Sequence, residues 1–268
     1  MNPTRTLCIG LLILVAACAT SPLGRSQMML VGDAEMDKMG VEAFEQLKKG
    51  GKVSSDPQVN AYVTCVANAI TGAMPQESGG GPWEVRVFQD DSANAFALPG
   101  RKIGVHTGLL TVAKNQDQLA TVIGHEVGHV IARHSAERVS NQIVAQGGAQ
   151  LAGAVIGAAG DPSSPLNGIA QAALGLGAQG VVLKYSRTHE SEADMLGLDF
   201  MAKAGFDPRE SVPLWKNMDA ASKGARPPEF LSTHPNPATR IKDLQARIPQ
   251  TLSLAEQAHA QGRNPRCR

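Results

Sequence analysis

Residues 121–134 read TVIGHEVGHVIARH, with three histidines in ten positions and a glutamate directly after the first of them. On a helix, residues four apart lie on one face, so His125 and His129 aim their imidazoles at a common point. Glu126 sits about 100° further round, where its carboxylate reaches a water at a metal without ligating the metal itself. Two ligands plus a proton acceptor is the physical content of H-E-x-x-H. The motif supplies only two ligands, so the chain must offer another. His134 is a poor one, because the helix is read as running from Gln116 to about Arg138. Five residues beyond His129 and nine beyond His125, it is turned away by roughly 140–180°. The extended H-E-x-x-H-x-x-G-x-x-H pattern also requires Gly at 132 and His at 135, where this chain has Ala132 and Ser135. His134 is expected at the surface or at the helix end.

The best remaining source of a ligand is YSRTHESEADMLGLDF, residues 185–200, read as a helix from about Ser186. Glu190 and Asp194 are four apart and share a face, while Glu192 lies about 200° from Glu190 and points to solvent or a neighbouring helix. One of the two facing carboxylates can ligate while the other accepts a hydrogen bond from a ligand histidine; spacing alone does not say which. Two histidines, a carboxylate and an open position describe a catalytic Zn2+ site, one ion per chain.

The rest of the chain supplies a scaffold for such a site. Helical periodicity runs from Val31 to Lys49 and again from Asp56-Pro57, where Asp56 suits an N-cap and Pro57 the first turn. WEVRVFQ (83–89) alternates as a strand does, and 93–110 suggests two short strands about a Pro-Gly turn, the second at 102–106. Alanine and glycine dominate 143–183, split by GDPSSP at 160–165; neither half reaches the ~20 apolar residues of a spanning helix. That stretch reads as a packed pair of small-residue helices, with a mobile lid or membrane-dipping hairpin as the alternative. A last amphipathic helix runs to about Ile248. Helices, a small sheet, then helices, without βαβ alternation, imply an α+β domain dominated by helix.

The N-terminus is of another kind. One basic residue, Arg5, precedes the apolar run Leu7–Val15, and VAAC at 15–18 resembles a bacterial lipobox. Residues 1–17 are expected to be a signal peptide, Cys18 a lipidated residue and 18–27 a tether, leaving 28–268 as the domain with its C-terminal tail. The plainer alternative is an ordinary signal with an incidental cysteine. Because Ala19 and not Asp follows Cys18, an outer-membrane lipoprotein facing the periplasm is expected. Of four cysteines, Cys65 and Cys267 then remain, and an oxidising compartment favours a disulfide between them over two separate buried thiols. With 25 basic and 24 acidic side chains the net charge is +1, which carries no nucleic-acid footprint.

Taken in order, NAFALPGRKIGVHTGLL (94–110), HEVGH (125–129), HESEADMLG (189–197) and LSTHPNPATR (231–240) resemble the gluzincin metallopeptidases of the HtpX, Oma and BepA/LoiP group over roughly residues 30–250. The resemblance implies a zincin-like fold with its small sheet beside the active-site helix. It implies that His125, His129 and Glu190 bind zinc, that Glu126 is the catalytic base and that Asp194 orients a ligand histidine. It further implies that substrate adds as a strand to the sheet edge, here assigned to residues 102–106 with Ile103 and Val105, and with Asn94 nearby. His234, in THP, matches a family histidine that approaches the metal, either to stabilise the oxyanion or to cap zinc in a latent state; Arg240 supports it or is a plain surface arginine. The activity implied is a zinc endopeptidase acting on unfolded or misassembled envelope proteins. The rival is a chaperone or assembly factor working with the outer-membrane assembly machinery, with zinc largely structural or the protease latent.

Overall fold

The computed structural model describes residues 18–76, 79–145, 185–222, 228–234 and 239–268. The leader 1–17 and the alanine- and glycine-rich stretch from 146 to 184 lie outside the described residues. Local chemistry opens most of the helices. Helix α1 (Asp33–Gly50) carries Asp33 and Glu35 in its first turn and Lys48 and Lys49 in its last, complementing the backbone dipole at both ends. Helix α2 (Pro57–Gly72) is capped by the Asp56 carboxylate, which accepts from the amides of Gln58 and Val59, with Pro57 in the first turn as expected.

A three-stranded sheet follows: β3 (Glu84–Phe88), β4 (Ala95–Leu98) and β5 (Lys102–His106), in the order β3-β5-β4. Strand β5 runs parallel to β3, with Glu84 opposite Lys102, and antiparallel to β4, with Ala95 opposite Val105. The order corrects one expectation. Residues 102–106 form the central strand, and Ile103 and Val105 are buried, with their strand hydrogen-bonded on both sides. The edges are β3 and β4, and β4, with Asn94 immediately before it, is the one beside Glu126.

Helix α3 (Gln116–Ile131) is capped by Asn115 and buried along nearly all its length, so it is the central helix of the larger core. It does not run on to Arg138. Arg133 adopts φ +58° and the chain restarts as α4 (His134–Ala145). Helix α5 (Arg187–Lys203), capped by Ser186, lies against α3 on small residues. A Cβ added at Gly124 would stand 2.7 Å from the Gly197 carbonyl oxygen, and one at Gly197 would stand 2.6 Å from the His125 amide nitrogen. That contact lets the backbone of the second carboxylate-bearing helix approach the first histidine. Helix α6 (Ser211–Ser222), the single turn α7 (Phe230–Thr233) and α8 (Arg240–Ala260) close the far side. Pro249 does not end α8, which continues twelve residues beyond the expected Ile248 to Ala260.

The expected tether is a docked hairpin. Strand β1 (Cys18–Thr20) pairs with β2 (Ser26–Met28), and Gln27 is buried, its amide donating to the Ala132 carbonyl and to Glu137. Among the described residues, no helix is long and apolar enough to cross a membrane.

Candidate metal centre

Because α3 holds its helical phase from Gln116 to Ile131, His125 and His129 do face one point, and their Nε2 atoms are 3.0 Å apart. Glu190, in the first turn of α5, comes to the same point: its Oε2 is 3.6 Å from His125 Nε2 and its Oε1 is 3.4 Å from His129 Nε2. His234, just past α7, completes a group whose four donor atoms all lie within 4.8 Å of one another. All four side chains are buried.

The residues fit a metal ion on the evidence of their unused lone pairs. Glu190 Oε1, Glu126 Oε1 and His234 Nε2 are buried without a hydrogen-bond partner. Buried polar atoms are nearly always satisfied, so several orphans beside two facing imidazole nitrogens mark a place for a cation. Imidazole nitrogens with one carboxylate oxygen are zinc donors. Burial, reinforced by His125, pushes His129 well below the usual imidazole range, and burial does the same to His234. Both are thereby neutral, as metal binding requires.

Three further contacts orient the centre. His125 Nδ1 donates to Asp194 Oδ1 at 2.8 Å, leaving Nε2 with its lone pair toward the group. Arg240, fully buried, donates through Nε to Asp194 Oδ2 at 2.6 Å and through Nη2 to Glu190 Oε2 at 2.5 Å, and its guanidinium lies 3.9 Å from the Trp215 ring. It is therefore no surface arginine, and it serves the two carboxylates and not His234. Tyr185 covers His129, with ring centroids 3.9 Å apart.

Glu126 is 3 % exposed and not one of the four donors. Its Oε2 accepts from the Ala97 amide of edge strand β4 at 3.4 Å, and its Oε1 is 3.5 Å from His234 Nε2. Burial first, then the charge of Glu190, raises its carboxyl well above the ordinary range. A cleft of about 240 Å³ opens here, bounded by Asn94, Phe96, Glu126, Arg138, Tyr185 and His234. An extended chain laid along β4 would pass Glu126 and the donor group together.

Two expectations resolve here to one of their alternatives: His134 is a helix-end and not a surface residue, and Glu192 points to a neighbouring helix and not to solvent. His134 is fully buried, with its Nδ1 2.9 Å from His129 Nδ1 and its Nε2 donating to Glu192 at 3.1 Å. The helix break at Arg133 turned it inward, so a phase extrapolated across the break had no meaning. Glu192 faces α4 and is buried. Although burial opposes its charge, His134, Ser21 and Arg25 hold its carboxyl at about 2. No signal in the sequence pointed to Tyr185, Trp215 or Arg25.

The profile of peptidase family M48 matches residues 56–248, most of the chain. A mitochondrial metalloendopeptidase OMA1 from Schizosaccharomyces pombe is 37% identical over 169 residues, 63% of this chain and 47% of the relative. A putative beta-barrel assembly-enhancing protease from Vibrio cholerae is 30% identical over 248 residues, 91% of this chain and 49% of the relative. The beta-barrel assembly-enhancing protease of Escherichia coli is 29% identical over 228 residues, 82% of this chain and 45% of the relative. The chain thus spans about half the length of the curated relatives it matches. The matched span contains His125, His129, Glu190 and His234, and the chain belongs to peptidase family M48, as its gluzincin resemblance implied.

Proposed function

We propose that the protein is a zinc-dependent endopeptidase that hydrolyses peptide bonds of unfolded or misassembled envelope proteins. The observation that carries this reading is Glu126: a buried carboxylate beside the donor group yet outside it, with one oxygen on the edge-strand amide and the other unpartnered. A purely structural site has no use for such a group. In this reading His125, His129 and Glu190 hold Zn2+, which when bound polarises the scissile carbonyl and acidifies water. Glu126 takes a proton from the attacking water and returns it to the leaving amine. Asp194 fixes the His125 tautomer. Strand β4, from Asn94, takes the substrate backbone as an added strand, which requires chain that is already unfolded.

A second reading rests on His234. Its Nε2 lies within the four-donor group, and four donors close a tetrahedral zinc site. That arrangement favours a latent protease, whose binding cleft serves outer-membrane protein assembly, as the names of the bacterial relatives suggest for those proteins. Displaced by substrate and protonated on Nε2, His234 would be placed to donate to the developing oxyanion. For location, the lipobox-like VAAC supports an outer-membrane lipoprotein anchored through Cys18 and facing the periplasm, with a Cys65–Cys267 disulfide formed there.

Cleavage of an unfolded protein by purified enzyme, with and without chelator, tests the activity. The wild type should cleave and chelator should abolish it. Glu126→Gln should keep one zinc per chain and lose hydrolysis by at least about 100-fold. Equal cleavage by that variant and the wild type would refute the proteolytic mechanism.

A further inference from the structure

Behind His129, on the side away from the donor group, runs a line of buried polar contacts that the proposed reaction does not use. His129 Nδ1 lies 2.9 Å from His134 Nδ1, and His134 Nε2 lies 3.1 Å from Glu192 Oε2. Arg25 Nε donates to the same Oε2 at 3.1 Å, and its Nη1 and Nη2 grip Glu137 at 2.7 Å each. Arg25 belongs to the N-terminal hairpin, between the strand that starts at Cys18 and the strand that buries Gln27. Its partners are 112 and 167 residues away in sequence.

The directions of these bonds are set by chemistry. Arg25 can only donate and an ionised Glu192 can only accept, so His134 must carry its proton on Nε2. His134 Nδ1 is then the acceptor, and His129 Nδ1 must donate to it. The proton on Nδ1 leaves His129 Nε2 with a free lone pair, the atom that faces Glu190 Oε1 at 3.4 Å. With the other His134 tautomer, its Nδ1 would donate and His129 would have to carry its proton on Nε2, where no metal could be bound. Every link is satisfied by one assignment, and that assignment is the ligating one.

We propose that Arg25 is a positioning residue of the metal centre: by holding Glu192 it fixes the His134 tautomer, and through it presents His129 to the metal. The N-terminal hairpin is thereby a working part of the site and not only a connection to it. This inference rests on the reading of His129 as a ligand, and goes beyond it by assigning the support to a segment outside residues 56–248, the span that defines the family match.

The test is zinc affinity measured by competition with a chromogenic chelator, on the full domain, with thermal stability of the zinc-free form recorded alongside. His134→Phe should weaken zinc binding by about 10–100-fold and Arg25→Ala by about 10-fold. The double variant should bind no more weakly than His134→Phe alone, because both changes cut one line. Glu192→Ala keeps the Arg25–Glu137 grip, and so keeps the hairpin docked should Arg25→Ala fold poorly; it too should lose about 10-fold. An arginine that only secures the hairpin predicts a fall in stability without these changes. Zinc affinity within twofold of wild type for Arg25→Ala or Glu192→Ala, or losses that multiply in the double variant, would overturn the proposal. His129→Ala separates the two levels. If it binds zinc as the wild type does, the ligand reading itself falls and takes the proposal with it. If it loses zinc while Arg25→Ala does not, only the proposal falls.

Discussion

Two carboxylates one turn apart, Glu190 and Asp194, share the guanidinium of Arg240 yet face different atoms: Glu190 the imidazole Nε2 atoms, Asp194 the outward Nδ1 of His125. Burying two carboxylates without partners would cost several kcal/mol each, and the hydrogen bonds from Arg240 offset that cost for both. The division of labour predicts different losses. Glu190→Gln removes a charged ligand, and zinc content and peptide hydrolysis should both collapse. Asp194→Asn leaves all four donors in place and should weaken zinc affinity or activity by roughly 10–100-fold. Metal analysis and hydrolysis assays on the two purified variants check this, and a Glu190→Gln protein that holds zinc as tightly as wild type would move the third ligand elsewhere. Spacing made Glu190 and Asp194 legible as a facing pair, because both lie within one unbroken helix. It could not reveal Arg240, since nothing in a single arginine records that its helix packs back onto carboxylates some fifty residues earlier.

At the scale of elements, the centre exists because α3 and α5 touch through glycine. Alanine is ordinarily better than glycine inside a helix by about 1 kcal/mol. At Gly197 the new methyl would meet the backbone nitrogen of His125 at 2.6 Å, and backbone cannot step aside as a side chain can. Overpacking of this kind costs about 1–3 kcal/mol and outweighs the propensity gain. Gly197→Ala should therefore lower the melting temperature and weaken zinc binding together, as the helices part. Calorimetry with zinc titration measures both, and a variant that gains stability while keeping zinc would show the contact to be looser than it stands. The same scale explains which expectations held. Asp56, Pro57 and the apolar period located α2, and the four-residue spacing of histidines and carboxylates located α3 and α5, because those signals are local. Strand order is not local: the Pro-Gly turn marked residues 102–106 as a strand, but only the parallel pairing with β3 places it in the middle and leaves β4 at the edge. The turn at Arg133 is likewise invisible to periodicity, since residues 121–134 read as one helix.

For the whole molecule, the two ends of the described chain dock on different elements of the fold. The N-terminal hairpin docks on α4 through Arg25 and Gln27, both of which donate to Glu137. The tail beyond α8 returns to the start of α3, where Gln116 donates to the Pro265 carbonyl and accepts from the Cys267 amide. There the sulfurs of Cys65 on α2 and Cys267 meet, 202 residues apart in sequence, with Cα atoms 5.6 Å apart. Pairing of two unassigned thiols was expected from the cysteine count, and the fold brings them together by laying the tail across α2. A covalent closure of so long a loop acts chiefly on the unfolded chain, and losing it typically costs about 2–5 kcal/mol. That is a large part of the 5–15 kcal/mol by which a domain is usually stable, yet short of the whole. Cys65→Ser with Cys267→Ser should accordingly fold, melt several degrees lower than the wild type without reductant, and still bind one zinc per chain, because no tail residue is among the four donors. The wild type should show neither thiol of this pair when titrated in denaturant without reductant. Two reactive thiols from Cys65 and Cys267, or a double variant that melts with the wild type, would mean that the tail is held by its non-covalent contacts, to Gln116 and Lys203 among them.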